Sequence, residues 1–582
     1  MTRESFKPTD EQERVITHQG SAFVAACPGA GKTRVLVERA RLLLNEKSTG
    51  KGIAFLSFTN AAISELQQRL TLEGLLPWPA FPHFIGTFDS FLWQFLVAPF
   101  GLPGCETPLR LIKDKGQRMI RPGNSDKLPE LPLECFDRAS GCLNNTMAIR
   151  HGFDTNRNAR STKAYETAAA SARARFLSRG ELDFEDAREL AEGRIKDGEA
   201  ALRLSAALAG RFRELIVDEA QDCNPSDLDV IKWLRDAGIP TKVICDPHQS
   251  IYQFRGGVTE ELNALAQTFD EEDRLLMSGN FRSSDPICKA IVALRPRHAR
   301  ANPDRALGKF GSVTLPVHVF SYGGTTVPAA VGERFCELIA AEDIDPSLCP
   351  VLAATKASGA HAIGQPGGSE SQDLTLRLAG AVTDFYFGFD AGNRQSALND
   401  VHSVVLDIEG RKDGKTYHQF LSDEGLEPGS WRPRIIQIVR ALRYDPALFP
   451  TPDAWLAHAR TLFAKHIPPN GRTISQRLRN NRNLATSLAM VQKSMPPAKT
   501  IHAVKGMEFP AVCVVLTTKT SKGIIDYLVD GSSAEHAEEA RKIYVAASRA
   551  QRLLAIATPR SQAGRLQRHL DATGAEVRVV DL

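Results

Sequence analysis

The chain lacks three features that would assign it to common classes of protein. Its ten cysteines contain no C-x-x-C pair and no zinc-type spacing, so neither a zinc finger nor an iron–sulfur cluster is predicted. No run approaches the ~20 apolar residues that a membrane-spanning helix needs. The polar stretch Thr2–Asp10 offers no apolar core for a secretory signal. These absences predict a reduced, cytoplasmic protein without a membrane partner.

An excess of charge of one sign is also missing. Lysine and arginine total 72 against 68 for aspartate and glutamate, so the net charge is only +4. A polyanionic partner would therefore have to meet a local basic track. Three arginine-rich runs are candidates, Arg157–Arg179, Arg295–Arg300 and Arg472–Arg482, although such runs are more often solvated faces than binding sites. With 582 residues, 42% of them hydrophobic, the chain is long enough for several cores.

The run Ala25–Thr33, AACPGAGKT, is the first informative feature that is present. It matches most of the phosphate-loop pattern G-x-x-x-x-G-K-[ST], with Ala26 in place of the first glycine. In such a loop backbone N–H groups surround phosphate oxygens, the lysine neutralises the outer phosphates and the threonine hydroxyl binds Mg²⁺. The flanking runs SAFVAA and TRVLVERARLLL predict the strand and the helix that the loop requires. The predicted ATP-binding loop residues are Ala26, Cys27, Pro28, Gly29, Ala30, Gly31, Lys32 and Thr33.

A second run, Leu215–Asp222 with the sequence LIVDEAQD, places two acids after a predicted strand. Asp218 is predicted to hold Mg²⁺, and Glu219 to orient or deprotonate the attacking water. Taken alone, the run fits a charged turn after a strand equally well. The phosphate loop upstream favours the catalytic interpretation.

The order of several further runs resembles one enzyme family. The chain is similar to the UvrD/Rep/PcrA family of superfamily 1 DNA helicases, with matches from Gln12 to Ala550. Besides DEAQD, the matching runs are FTNAA (Phe58–Ala62), GTFDSF (Gly86–Phe91), LDFED (Leu182–Asp186), CDPHQSIYQFRG (Cys245–Gly256), NFRSS (Asn280–Ser284), TIHAVKGMEFPAV (Thr500–Val512) and YVAASRA (Tyr544–Ala550). The resemblance implies a 3′–5′ DNA helicase or single-strand translocase that uses ATP and Mg²⁺.

The resemblance also implies which residues bind the nucleoside. Gln12 matches the family glutamine that reads the adenine edge, and Phe281 the aromatic ring on which adenine stacks. Arg34 lies where a nearby arginine assists, and Glu508 matches the acid that contacts the ribose.

The catalytic set implied by the resemblance draws on both halves of the chain. Gln249 matches the residue that senses the γ-phosphate and couples it to DNA. Arg282 and Arg549 match two arginines that reach the γ-phosphate from a second lobe, where an always-charged guanidinium stabilises transition-state charge. The whole implied catalytic set is Lys32, Asp218, Glu219, Gln249, Arg282 and Arg549.

The DNA contacts implied by the resemblance include an aromatic pair. Tyr252 and Phe254 are two residues apart, so on an extended segment both rings face one side and form a platform on which bases stack. Arg255 follows them. Further matching positions along the single-strand track are Phe58, Thr59, Thr87, Phe88, Ser90 and His502. For Phe88 a core position is an equally good interpretation. The expected partners are single-stranded and junction DNA.

The fold class implied is α/β, with two RecA-like P-loop lobes of parallel sheet, each interrupted by a mainly helical insertion. The run 172–194 is predicted to be helical, and the glycine- and serine-rich run 358–373 is predicted to be a linker. The expected segments are 1–92 and 206–284 for the first lobe, 93–205 for its insertion, 285–357 and 500–582 for the second lobe, and 358–499 for a reduced accessory insertion.

The sequence departs from the family in two places. No duplex-contacting glycine motif is found in the accessory insertion, and Asp89 stands where the family usually has histidine. Three functions therefore remain open: a repair-type helicase, a DNA-sensing ATPase resembling the helicase component of Gabija defence systems with a separate nuclease subunit, and a nucleotide-controlled DNA-binding switch. The oligomeric state is left open as well.

Overall fold

The computed structural model forms two compact units. The first comprises Met1–Leu96, Ala191–Ser369 and Val491–Leu582, and the second Val97–Leu190 and Glu370–Met490. The structure describes residues 6–45, 50–75, 80–112, 114–122, 128–156, 158–250, 259–364, 373–390, 394–412, 417, 420–421, 424–468, 472–488 and 496–582.

The first lobe of the first unit is built on a six-stranded parallel sheet. Its strands are β1 (Ala22–Ala26), β2 (Gly52–Ser57), β3 (Phe84–Thr87), β4 (Phe212–Val217), β5 (Thr241–Cys245) and β6 (Arg274–Met277). They lie in the order β6–β1–β5–β4–β2–β3. The helices of this lobe are Asp10–Thr17, Lys32–Asn45, Asn60–Leu72, Phe88–Phe91, Gly198–Arg211, Pro225–Asp236 and Thr259–Gln267. The strands are nearly continuous apolar runs because helices cover both faces of such a sheet.

The second lobe repeats this architecture. Its strands are β7 (Val317–Tyr322), β8 (Val351–Ala353), β9 (Ala498–Thr500), β10 (Phe509–Val515), β11 (Ala550–Pro559) and β12 (Val577–Asp581). They are parallel and lie in the order β9–β8–β10–β11–β7–β12. The helices are Asp285–Ala293, Ala330–Ala341, Lys356–Ala362, Ser521–Asp530, Ala537–Ala547 and Arg560–Asp571. Apolar clusters cover both faces of the sheet. The predicted fold class, α/β with two RecA-like lobes, is confirmed.

The second unit is mainly helical. Its helices are Asn145–Arg150, Ala159–Ser178, the first half of Phe184–Lys196, Leu374–Asp390, Arg394–Glu409, Pro428–Ala441, Pro452–Phe463, Ile474–Arg477 and Leu484–Leu488. Two-residue strands pair Arg110–Leu111 with Glu181–Leu182 and Met119–Ile120 with Leu131–Pro132. Trp455 is fully buried in one of its two apolar clusters, and its indole N–H donates to the Leu442 carbonyl.

One local prediction holds in part and another needs correction. The run 172–194, predicted to be helical, is helical over residues 172–178 and 184–194, and between these helices Gly180 takes a left-handed conformation (φ +67°) and Glu181–Leu182 form a short strand. The predicted linker 358–373 begins inside the helix Lys356–Ala362, which Thr355 caps by accepting from the Ser358 N–H; residues 365–372 lie outside the described part. The division into six segments stays a prediction. None of the described helices is long and apolar enough to cross a membrane.

Candidate nucleotide-binding site

The predicted phosphate loop joins β1 to the helix Lys32–Asn45, as the flanking sequence predicts. Gly29 and Gly31 both have positive φ, +70° and +76°, a conformation that side chains other than glycine rarely adopt. Gly29 is also close-packed, since a Cβ there would lie 2.6 Å from the Asn280 Oδ1 atom. The loop leads directly into the N-terminus of the helix Lys32–Asn45, where the backbone N–H groups of the first turn favour an anion.

The predicted acids lie at the carboxyl end of β4, directly after Val217. Glu219 has a left-handed backbone (φ 57°), and its Oε1 lies 3.1 Å from the Lys32 Nζ atom. The Gln221 side-chain amide donates to its other oxygen. The structure thus brings together the lysine of the phosphate loop and the predicted catalytic carboxylate.

Burial and mutual repulsion divide the charge between the two acids. Burial, and then the negative charge of Glu219, raise the pKa of Asp218 to about 7. Burial acts in the same direction on Glu219, but the cations of Lys32 and Lys505 outweigh it and lower the pKa of Glu219 to about 2. Burial acts to lower the pKa of Lys32, but the negative charges of Glu219 and Asp218 outweigh it, so the pKa lies above its ordinary value. Glu219 therefore carries the negative charge that Lys32 neutralises.

The predicted Mg²⁺ ligands share one cavity. Thr33, Ser57 and Asp218 are the polar residues that line a space of about 10 Å³, and the rest of its lining is apolar. The buried Ser57 hydroxyl oxygen has no hydrogen-bond partner among the residues that the structure describes. Oxygen donors of this kind suit Mg²⁺, which usually takes one or two protein oxygens and completes its shell with water and phosphate. Within the described ranges no group of three or more histidine, cysteine or acidic residues forms a further metal site. The residues present therefore fit a Mg²⁺ ion bound together with a nucleotide.

Two arginines approach this centre from the second-lobe side. Arg549 is 3% exposed, and its Nη2 donates to the Gln249 Oε1 at 2.7 Å. Burial, and then the nearby Arg282, lower the pKa of Arg549 to about 9, so the guanidinium stays charged at neutral pH. Arg282 donates through Nε to the Glu508 Oε2 at 2.7 Å and through Nη1 to the Ser548 carbonyl. The predicted ribose ligand thus pairs with a predicted catalytic arginine.

The predicted adenine-binding residues Gln12 and Phe281 both contact the phosphate loop. Gln12 is buried at the start of the helix Asp10–Thr17, and its Nε2 donates to the Ala30 carbonyl at 3.0 Å. The Phe281 N–H donates to the Gly29 carbonyl. Arg34 contacts Glu38 and Glu73, and its guanidinium carbon lies 4.9 Å from the centre of the Phe6 ring.

The predicted DNA-binding residues are distributed unevenly. Phe58 is half-buried, and its ring stacks on Phe88 with 5.2 Å between the centroids. Phe88 itself is fully buried, so in this conformation its ring offers no surface to a base. Thr59 and Thr87 cap the helices that follow them, and Thr87 also contacts Ser90. His502 begins a short 3₁₀ turn. Tyr252, Phe254 and Arg255 lie outside the described residues.

Sequence reasoning missed several residues of the site. Phe6 covers Arg34, and Asn280 accepts the N–H groups of Arg282 and Ser283. Lys505 lies 2.5 Å from the Asp222 carboxylate. Asn280 and Lys505 belong to runs that match the family, so their position in those runs was the available signal. For Phe6 no sequence signal distinguished the ring from an ordinary core residue.

Comparison with known proteins gives matches in both lobes. The sequence profile of the UvrD/REP helicase N-terminal domain matches residues 8–270, and that of the UvrD-like helicase C-terminal domain matches residues 481–561. The ATP-dependent DNA helicases PcrA of Staphylococcus aureus and of Staphylococcus epidermidis are each 27% identical to this chain, over 303 and 302 residues respectively. Each match covers 51% of this chain but only 40% of the relative's length.

The two family profiles together cover more than half of the 582 residues, and they lie in the order in which the two parallel sheets occur. The resemblance inferred from the motifs is confirmed. The chain belongs to the UvrD/Rep/PcrA-like superfamily 1A helicases.

Proposed function

We propose that the protein is an ATP-dependent DNA helicase that hydrolyses ATP to move 3′–5′ along single-stranded DNA. One observation carries this proposal: an unbroken chain of polar contacts joins Lys32 of the first lobe to Arg549 of the second. From Lys32 the contacts run through Glu219, Gln221, Asp246 and Gln249 to Arg549. A site that spans two lobes in this way is assembled by their closure and dismantled by their separation.

The exchange of partners at Lys32 is the first step of the proposed mechanism. A bound triphosphate would compete with Glu219 for the single ammonium group, because Lys32 Nζ lies at the helix N-terminus where phosphates bind. Glu219, once released from Lys32, can orient or deprotonate the attacking water. Mg²⁺ held with Thr33 and Asp218 would neutralise charge on the phosphate oxygens.

The second step of the proposal depends on the two arginines. Arg282 would move from Glu508 onto the γ-phosphate, and Arg549 would keep its Nη2 contact with Gln249 while its other N–H groups reach the same phosphate. Two fixed guanidinium groups would then stabilise charge that builds in the transition state. Hydrolysis removes the γ-phosphate that holds the two arginines in this position. Cleft opening would then shift the single strand past Phe58, Thr59 and His502 and across the Tyr252–Phe254 platform.

A segment of the second unit supports DNA as the partner. No aspartate or glutamate occurs between Asp453 and Glu508. In this stretch Leu478 and Leu484 are buried, whereas Arg479 and Arg482, which lie between them, are exposed and form no ion pair within the described part of the chain. Ordered arginines without acidic partners repel one another, so a polyanion such as the DNA backbone would stabilise them.

The test is the ATPase rate with and without a single-stranded oligonucleotide. We expect strong stimulation by DNA, no turnover in Lys32→Ala, and a fall of about a thousandfold or more in Arg549→Ala, because such arginines act in the transition state. Lys522→Ala, which removes an exposed lysine of the second lobe, is the control. Retained DNA-dependent turnover in Lys32→Ala would exclude this site.

The same measurement discriminates the second candidate function. The accessory insertion predicted at 358–499 has no duplex-contacting glycine motif of the kind that the family carries there, which favours a DNA-sensing ATPase that regulates a separate nuclease. An ATPase rate that does not change when DNA is added, or that requires an added nuclease subunit, supports this candidate and not the helicase.

A further inference from the structure

Asp246, directly after β5, is a buried carboxylate (1% exposed) to which the catalytic roles above give no part. Its Oδ2 accepts from the Gln249 Nε2 at 2.9 Å, and its Oδ1 accepts from the His248 N–H at 3.0 Å. Its own N–H donates to the Gln221 Oε1 at 3.1 Å. Asp246 therefore contacts both side chains that link Glu219 to Arg549.

The second lobe reaches the same carboxylate through Tyr544. The Tyr544 hydroxyl lies 3.1 Å from Asp246 Oδ2 and 3.4 Å from Oδ1, and it is the donor because an ionised carboxylate only accepts. Tyr544 lies in the helix Ala537–Ala547, five residues before Arg549. Its ring packs edge-on against His248, with 5.9 Å between centroids.

A buried ion pair, Arg295 with Asp304, lies next to the Tyr544 ring. Arg295 and Asp304 are 5% and 8% exposed, and the Arg295 Nη2 lies 2.7 and 2.6 Å from the two Asp304 oxygens. The Arg295 guanidinium carbon lies 5.8 Å from the centre of the Tyr544 ring. The pair thus restricts the ring, and with it the direction of the hydroxyl.

The orientation of the Gln249 amide is what these contacts decide. A glutamine amide has one acceptor oxygen and one donor nitrogen, which can exchange places by rotation. Because Asp246 can accept only from the nitrogen, the oxygen must face Arg549. We propose that Asp246 and Tyr544 form an inter-lobe positioning pair that fixes the Gln249 amide and thereby places Arg549 for catalysis.

This inference rests on the proposed ATPase function, so the contact is tested first without nucleotide. Thermal unfolding of Tyr544→Phe, Asp246→Ala and the double variant forms a cycle. If the hydroxyl bonds to the carboxylate, Tyr544→Phe lowers Tm clearly more in the wild-type background than in the Asp246→Ala background, where Arg295 is the polar neighbour that remains beside the hydroxyl. Equal shifts in both backgrounds would overturn the pair whether or not the protein hydrolyses ATP. Should Asp246→Ala fail to fold, Asp246→Leu, which is of similar shape and has no hydrogen-bonding group, replaces it.

The positioning role is then tested with Tyr544→Phe, which removes one oxygen and keeps the ring. We expect kcat to fall about tenfold with little change in KM for ATP, because the loss is felt only in the transition state. ADP with aluminium fluoride, a mimic of the transferring phosphoryl group, should bind about tenfold more weakly, whereas ADP alone binds as before.

Tyr322→Phe is the matched control for this substitution. Tyr322 is equally buried in the second lobe, and its hydroxyl donates to the Leu516 carbonyl at 2.7 Å. It should lower Tm without the kcat effect or the selective loss of fluoride-complex binding. If the two phenylalanine variants behave alike, or if Tyr544→Phe weakens both nucleotide complexes equally, Tyr544 is merely structural and the proposal is wrong. If the wild-type protein binds ADP equally well with and without aluminium fluoride, the ATPase proposal and the positioning role are both overturned. The unfolding cycle would still test the contact between Asp246 and Tyr544.

Discussion

Single residues of the site are held in states that their neighbours impose. Glu219 keeps its charge in a half-buried position because Lys32 and Lys505 lower its pKa, whereas burial and Glu219 raise the pKa of the neighbouring Asp218 to about 7. Two adjacent acids thus acquire different charges from their surroundings. A similar close fit governs Gly29, where the phosphate loop touches the turn that carries Arg282.

We predict that Gly29→Ala disturbs the contact between the phosphate loop and the turn that carries Arg282. The new methyl would lie 2.6 Å from the Asn280 Oδ1 and 2.7 Å from the Arg282 Cβ, and Asn280 is fully buried, so the loop and the turn must separate. We expect a loss of about 1–3 kcal/mol from overpacking, beyond the cost of a side chain at positive φ, and a raised KM for ATP. Thermal unfolding and ATPase kinetics measure the two effects.

Gly20→Ala is the control for backbone conformation. Gly20 has φ +76°, but a Cβ there would meet no atom within 4 Å. This variant should show only the conformational cost of about 1–2 kcal/mol and an unchanged KM. Equal behaviour of the two variants would contradict a close contact at Gly29.

At the scale of elements, the helix Asp10–Thr17 connects the loop to the segment between the lobes. Thr9 and Gln12 form a capping box at its start, and Gln12 also binds the Ala30 carbonyl. The Glu11 carboxylate accepts from the Ser278 N–H and hydroxyl. The short helix packs Val15 and Ile16 into the core, and these hydrogen bonds also fix its N-terminal turn, where the predicted adenine reader lies.

Thr9→Ala should therefore affect both stability and nucleotide binding. Loss of the cap costs about 1 kcal/mol and frays the turn that orients Gln12, so KM for ATP should rise about fivefold. Thr451→Ala removes a comparable cap, at the helix Pro452–Phe463 of the second unit. It should cost similar stability and leave KM unchanged. A KM effect of the same size in both variants would show that Thr9 acts only through general stability.

At the scale of the whole molecule, charge is distributed more unevenly than the net value of +4 suggests. Many arginines of the two lobes are paired, as Arg203 is with Glu199 and Arg334 with Glu337. The acid-free stretch that carries Arg479 and Arg482 belongs for the most part to the second unit. Binding of DNA should therefore depend on salt mainly through a few local contacts.

The double variant Arg479→Ala/Arg482→Ala tests this dependence. Each lost phosphate contact lowers the slope of log K against log salt by about 0.9 for duplex and about 0.7 for single strands. We expect the slope to fall by about 1.8 if duplex is bound there and by about 1.4 for a single strand, measured by anisotropy at several salt concentrations. Arg203→Ala/Arg334→Ala removes the same net charge and should leave the slope unchanged. An unaltered slope in the first variant would exclude a phosphate-binding role.

Much of the fold could be predicted because local sequence patterns determine it. The runs SAFVAA and LIV become β1 and the end of β4, and the run after the phosphate loop becomes the helix Lys32–Asn45. The helical prediction for residues 172–194 is right for most of the run but missed the break between two helices at Gly180, which adopts a positive φ. A pattern of side chains carries little information about such backbone conformations.

The family, the phosphate loop and the order of the lobes could be inferred from short motifs, because each motif consists of residues close together in the chain. Which charged groups meet depends on the folded arrangement of distant segments. Asp246 and Tyr544, or Lys505 and Asp222, are hundreds of positions apart, and their partners follow from how two sheets bring strand ends together. The burial of Phe88 beneath Phe58 also follows from the folded arrangement, because the exposure of an aromatic ring depends on the residues that pack over it.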